Sequence, residues 1–134
     1  MADGFKFSEF VTDKKLEEEG VWIEYAQGFS MLVARLGNSK CQSYLRKLRK
    51  PYTRQIQKGT LSDEVAQDLL KKAISKYVLL DWKGLIEDNG KSIPYSEEKA
   101  LELLSHRDFL EAVTDLAMDQ ELFKQEAEGT IEKN

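Results

Sequence analysis

The single histidine, His106, and the single cysteine, Cys41, are of types that often act as proton carriers or nucleophiles in enzymes. A catalytic His106 would need partners from distant parts of the chain, and its place between two predicted helices is typical of a solvated helix end. Lys40 could lower the pKa of the neighbouring Cys41 thiol and make it nucleophilic. Cys41 also shares an apolar stripe with Leu45 and Leu48, which favours a small core residue. We therefore expect neither side chain to be catalytic.

Three carboxylates, Asp81, Glu87 and Asp88, could serve as acid and base or bind a metal. Their spacing lacks the alternating oxygen ligands of a calcium loop, and Asp88 followed by Asn89 and Gly90 is typical of a tight turn. One cysteine and one histidine are too few for a usual zinc site, and the isolated glycines form no glycine-rich phosphate loop. The sequence thus predicts no enzyme, no metal and no cofactor.

The strongest binding signal is residues 35–58, the basic segment, which carries eight basic residues and no acidic one. Its basic side chains could form a solvated helix face, with their charged groups beside the acidic C-terminal helices. They could also bind an acidic or amphipathic protein. Alternatively, they could neutralise the phosphates of a nucleic acid while Tyr44 and Tyr52 stack on its nucleobases. Nucleic acid is the least favoured of these three readings. The residues predicted to contact a partner or a second copy of the chain are Arg46, Arg49, Lys50 and Arg54.

The segment 80–98 contains most of the turn signals. Asn89-Gly90 predicts a tight turn flanked by apolar residues, and Ser96 is placed to cap a new helix. Trp82 and Tyr95 are predicted to anchor this turn. Because aromatic residues also suit interfaces, both are candidate partner contacts as well.

The elements that position these residues follow from hydrophobic patterning. Residues 20–25 and 29–36 predict two strands joined by a turn at 26–28. Helices are expected to begin after Asn38 or Ser39, at Ser62 and at Ser96, and a further helix is expected with Asp108 as its cap. Pro51 either ends the first of these helices near Arg49 or kinks it.

The predicted fold class is α+β, a mostly α-helical single domain with an N-terminal β-hairpin and about four helices. Its parts are an N-terminal arm (1–16), the hairpin (17–37), a helical body (38–126) and a flexible tail (127–134). At 134 residues, with 41% hydrophobic residues and a net charge of −4, the chain is typical of one globular domain. Its apolar runs are far shorter than the roughly 20 residues of a membrane span, and no secretory pattern is visible, so we expect an intracellular protein without a membrane contact.

Several of these stretches occur in an order that resembles the tail assembly chaperones of long-tailed, siphovirus-type bacteriophages. The resemblance covers roughly residues 17–134, and its most specific part is Asp81-Trp82 followed by an Asp-x-Gly-x-x-Ile-Pro-Tyr-Ser arrangement. The stretches that carry it are 20–23, 32–38, the basic segment, 78–82, 88–96 and 123–126.

The resemblance implies a non-enzymatic chaperone that binds the tape-measure protein in the host cell cytoplasm and keeps it soluble, and that is absent from the mature virion. Members of this family commonly make a longer product by translational frameshifting, which recruits the tail tube protein, and this chain resembles the short product. Two alternatives remain from the residues alone: a small nucleic-acid-binding regulator that uses the basic segment, or a structural protein of the virion tail or connector.

Overall fold

A three-stranded antiparallel sheet packs against a mainly helical body in residues 3–124, the part of the chain that the computed structural model describes. The mostly helical α+β architecture with an N-terminal hairpin, predicted from the sequence, is confirmed. The strands are Val21–Ala26 (β1), Phe29–Val33 (β2) and Leu79–Lys83 (β3). The α-helices are Lys14–Glu19 (α1), Ser39–Arg49 (α2), Thr53–Lys58 (α3), Asp63–Tyr77 (α4), Glu97–Leu103 (α5) and Arg107–Met118 (α6).

The sheet has the strand order β1-β2-β3. The predicted hairpin is confirmed, with Gln27 and Gly28 between its strands, although β2 ends at Val33 and not at residue 36. The third strand was not predicted: α4 ends at Tyr77, Val78 caps it, and β3 follows at once. Its Trp82 pairs with Met31 of β2, about 50 residues away in sequence, and a short apolar run alone does not distinguish a strand from a helix.

Three helix starts are confirmed by their capping hydrogen bonds. The side-chain oxygens of Asn38, Ser62 and Ser96 accept from the backbone N–H groups three residues further on, at 3.0, 3.2 and 2.9 Å. The predicted cap at Asp108 is wrong, because His106 is the extended residue before α6 and Asp108 lies in the first turn. An acidic side chain is stabilised there by the helix dipole, which explains its presence without a capping role.

Pro51 interrupts the helix without ending the helical path. The chain leaves α2 at Arg49, makes a 3-10 turn over Lys50–Tyr52 and resumes as α3, which ends against Gly59 in the left-handed conformation with φ of 70°. Of the two outcomes predicted for Pro51, the structure shows the kink.

The N-terminal arm is attached to the end of the described chain. It forms a 3-10 turn over Phe7–Phe10 and then α1, and the Asp13 amide donates to the Phe123 carbonyl at 2.7 Å. The predicted tail, residues 127–134, lies entirely outside the described residues.

The core lies between the inner face of the sheet and helices α2, α4, α5 and α6, and it includes Met31, Val33, Cys41, Ile74, Leu79, Trp82, Leu104 and Val113. Asn38 is a polar side chain buried beside it, only 3% exposed. Its amide group donates to the carbonyls of Arg35 and Tyr77 at 2.8 and 3.1 Å. These bonds, together with its cap on α2, join the end of the hairpin to the end of α4.

Candidate functional site

A groove with a volume of about 680 Å³ lies at the bend between α2 and α3. It forms because Pro51 and the 3-10 turn redirect the chain, so that side chains from the end of α2 and the start of α3 line one concavity. We call this the elbow groove. Its lining residues are Ser43, Arg46, Lys47, Arg49, Lys50, Thr53, Ile56 and Gln57.

The elbow groove combines cationic groups with an apolar contact. Three of the four basic residues predicted as contacts line it: Arg46, Arg49 and Lys50. The fourth, Arg54, is exposed on α3, next to the lining residue Thr53 in the sequence. Ile56 is 42% exposed at the same site. The helix dipole favours the bases in the last turn of α2. It does not favour Arg54, which stands in the first turn of α3.

The cations of the groove have no acidic partner within residues 3–124. None of them lies within 4.0 Å of a carboxylate oxygen in that part of the chain, and Arg46 donates only to the Ser43 hydroxyl, at 3.3 Å. The reading in which these bases meet the acidic C-terminal helices is therefore not observed among the described residues.

Arg35, at the start of the basic segment, has a different role. Its guanidinium lies 3.0 Å from the Glu17 carboxylate and 3.1 Å from the Thr12 hydroxyl, and its amide donates to the Glu17 carbonyl at 2.9 Å. These bonds tie α1 to the end of the hairpin. The basic segment thus contains one structural arginine and, from residue 46 onward, a separate exposed group.

Tyr44 is already engaged inside the fold. Its ring meets Tyr77 edge to face at 5.4 Å, and Lys76 Nζ lies 5.7 Å from its ring centre. Both tyrosines also line a smaller surface concavity of about 250 Å³ together with Lys40 and Lys47, and neither tyrosine lines the elbow groove. None of the residues that line the elbow groove is aromatic, which weakens the nucleic-acid reading of the basic segment.

Trp82 and Tyr95 anchor the turn segment, as predicted. The indole N–H of Trp82 donates to the Ile93 carbonyl at 2.7 Å, and the Tyr95 hydroxyl donates to the Leu79 carbonyl at 2.7 Å. Trp82 is only 4% exposed and lies in the core. A partner could reach its ring only if the segment that covers it moved, and neither aromatic residue lines the elbow groove.

The residues considered for catalysis are dispersed. Cys41 is buried, and burial raises the pKa of its thiol, which opposes the nucleophilic thiolate form. His106 is exposed at the start of α6. Within residues 3–124, no cluster of three or more histidine, cysteine or acidic side chains is placed to hold a metal ion, and no helix is long and apolar enough to cross a membrane.

Two exposed surfaces were not predicted from the sequence. The first is an aromatic cluster on the N-terminal arm, where Phe5, Phe7 and Phe10 are 71, 78 and 61% exposed. The available signal is three phenylalanines within six residues, at loosely alternating positions. The second is the outer face of α6, on which acidic residues recur at helical spacing. The C-terminal helices are identified as acidic from the sequence, without assignment of the acidic residues to one face.

Comparison with known proteins identifies a family for the helical body. No curated protein and no solved structure matches the chain. The family model of the YdaY prophage protein matches residues 36–134, which include the whole elbow groove and the turn anchored by Trp82 and Tyr95. This match covers well over half of the chain, and the protein therefore belongs to the YdaY family of prophage proteins.

Proposed function

We propose that this protein is a non-enzymatic phage tail assembly chaperone. It binds the tape-measure protein in the host cell cytoplasm, keeps that protein soluble until the tail tube assembles around it, and is left out of the mature virion. Membership of a prophage family and the motif order of residues 17–134 support this role.

The observation that carries the proposal is the elbow groove, with exposed cations that no carboxylate within residues 3–124 neutralises. A client helix laid into it would bury an apolar side chain against Ile56 and the aliphatic stems of Arg46 and Arg49. Carboxylates beside that apolar side chain would pair with the guanidinium heads. Such contacts cover the apolar stripes through which a helical client aggregates.

Co-expression with the tape-measure protein of the same prophage tests this proposal. We expect a soluble complex with the wild-type chain and precipitation of the client with the triple variant R46E/R49E/R54E. The matched control is K14E/K15E/K91E, which changes the net charge equally at exposed positions outside the groove, and which we expect to protect the client fully. Precipitation of the client in the presence of excess wild-type chain would refute the chaperone role.

Phosphate binding by the same cations is the rival function. It predicts a gel shift of duplex or single-stranded DNA that weakens steeply with salt and disappears in R46E/R49E/R54E. We expect no shift at low salt, because none of the described residues that line the groove is aromatic.

A virion tail or connector component would be found in purified particles, where we expect the chain to be absent. A frameshifted longer product would carry the contact with the tail tube protein. Its existence is tested by searching the DNA beyond the stop codon for a slippery heptamer and an overlapping reading frame.

A further inference from the structure

The outer face of α6 carries a row of exposed acidic residues that ends in an exposed methionine. Asp108, Glu111 and Asp115 are exposed, and Met118 is 62% exposed. At 3.6 residues per turn, these four positions fall within a sector of about 80° and along about 15 Å of the helix. We call this row the α6 ridge.

The α6 ridge has no basic partner within residues 3–124. None of its three carboxylates forms an ion pair in that part of the chain. The opposite side of the same helix supplies Val113 and Ala117 to the core, so the orientation of the ridge toward solvent is fixed by packing.

The ridge and the elbow groove are complementary in two respects. The ridge presents carboxylates and the groove presents arginine and lysine heads, so approach of one to the other is electrostatically favourable. The ridge also ends in Met118, whose flexible thioether suits an apolar contact such as Ile56. A helix in a groove is a recurrent mode of recognition between proteins.

We propose that the α6 ridge of one copy of this chain docks into the elbow groove of a second copy. Because the two surfaces are different, copies can pair reciprocally across a two-fold axis or join head to tail in larger rings or open chains. Both surfaces are small, so the association is weak and reversible. Because charge pairs supply much of the attraction, it weakens as salt rises.

This contact also regulates the proposed chaperone, and this consequence rests on the proposed function. A groove occupied by the α6 ridge is closed to the tape-measure protein, so a bound client disperses the self-associated form. The cationic groove is then covered in the self-associated copies and open in the monomer.

The test uses neutral variants of the full-length chain in sedimentation velocity, with no client present. R46Q/R49Q/R54Q removes the three arginine charges in and beside the groove, keeps Lys47 and Lys50, and leaves the ridge intact. D108N/E111Q/D115N removes the three carboxylates of the ridge and leaves the groove intact. At about 0.3 mM protein and low salt, where weak contacts of this size are populated, we expect the wild type to sediment faster than a monomer. We expect each variant alone to remain monomeric, because each lacks one of the two surfaces.

The decisive sample is the equimolar mixture of the two variants. Each supplies the surface that the other lacks, so we expect species of twice the monomer mass and none larger. K14Q/K15Q/K91Q serves as the charge-matched control and should associate like the wild type. Thermal unfolding followed by circular dichroism confirms that every variant is folded.

A wild type that stays monomeric at low salt overturns the inference, as does a mixture of the folded variants that stays monomeric. Association of either variant alone at the wild-type level also overturns it. Because no tape-measure protein is present, these outcomes leave the chaperone role to be decided by co-expression.

Discussion

The indole of Trp82 meets the ring of Tyr95 edge to face, with ring centroids 4.9 Å apart and the planes at 79°. Each side chain also donates to a backbone carbonyl in the other's part of the chain: Trp82 to Ile93, two residues before Tyr95, and Tyr95 to Leu79, three residues before Trp82. The pair thus fastens the long connection after β3 to the strand itself. It accounts for two aromatic residues in a segment that otherwise consists of turn signals.

Tyr95→Phe should destabilise the fold while preserving the aromatic contact. The substitution removes the hydroxyl that donates to the Leu79 carbonyl at 2.7 Å, and loss of a partly buried hydrogen bond costs about 1–2 kcal/mol. Urea unfolding measures the change. The control is Tyr25→Phe, because Tyr25 is 54% exposed and a change there should stay within about 0.5 kcal/mol. Equal effects of the two substitutions would show that the Tyr95 hydroxyl does not stabilise this connection.

The same hydroxyl makes stability depend on alkaline pH. Burial, followed by the nearby charges of Glu97 and Asp81, raises the pKa of Tyr95 to about 12 from its ordinary value of 10.0. The folded state therefore retains a proton that the unfolded state loses. This contribution to stability is complete below pH 10 and falls as pH rises toward 12.

Urea unfolding at a series of alkaline pH values measures this loss, and the absorbance of tyrosinate reports the titration directly. In Tyr95→Phe this part of the pH dependence should be absent. If the wild type and Tyr95→Phe lose stability in parallel between pH 10 and 12, the raised pKa of Tyr95 is not its cause.

Local signals in the sequence predicted local structure well. Asn38, Ser62 and Ser96 were identified as helix caps because the hydrogen bond that each accepts reaches only three residues along the chain. The strand β3 was missed because its partner β2 is distant in sequence and β3 is only five residues long.

The candidate site likewise combines residues that the sequence identifies with contacts that depend on distant parts of the chain. The sequence of the basic segment identifies the cations of the elbow groove, but the groove itself depends on the bend at Pro51. The roles of Arg35 and Tyr44 depend on Glu17 and Tyr77, which are 18 and 33 positions away in the sequence. No local pattern could separate these engaged residues from the exposed ones.

Gly84→Ala should be among the most damaging single substitutions in the chain. A Cβ at this position would lie 1.8 Å from the Gly28 carbonyl oxygen in the hairpin turn, and Gly84 has φ of 85°. Either the hairpin or β3 must shift, at a cost of roughly 3 kcal/mol or more. Thermal unfolding of the purified variant measures the loss.

Gly90→Ala is the matched control for Gly84→Ala. Gly90 has nearly the same φ, 87°, but a Cβ there meets nothing within 4 Å. It should therefore show only the backbone penalty of about 1–2 kcal/mol. A Gly84→Ala variant no less stable than Gly90→Ala would mean that the hairpin turn and Gly84 do not approach each other this closely.

Arg35→Gln and Arg49→Gln should separate stability from client binding within one basic segment. The Arg35 side chain is 30% exposed and its guanidinium pairs with Glu17, so loss of this pair should cost roughly 1 kcal/mol of folding free energy. It lines no part of the elbow groove, and the folded variant should keep the tape-measure protein soluble. Arg49 has no carboxylate partner within residues 3–124, so Arg49→Gln should leave stability nearly unchanged but reduce the yield of soluble client. Urea unfolding and the co-expression assay, applied to both variants, measure the two effects. If both substitutions impair the chaperone assay equally at equal stability, client contacts extend to Arg35 and are not confined to the groove.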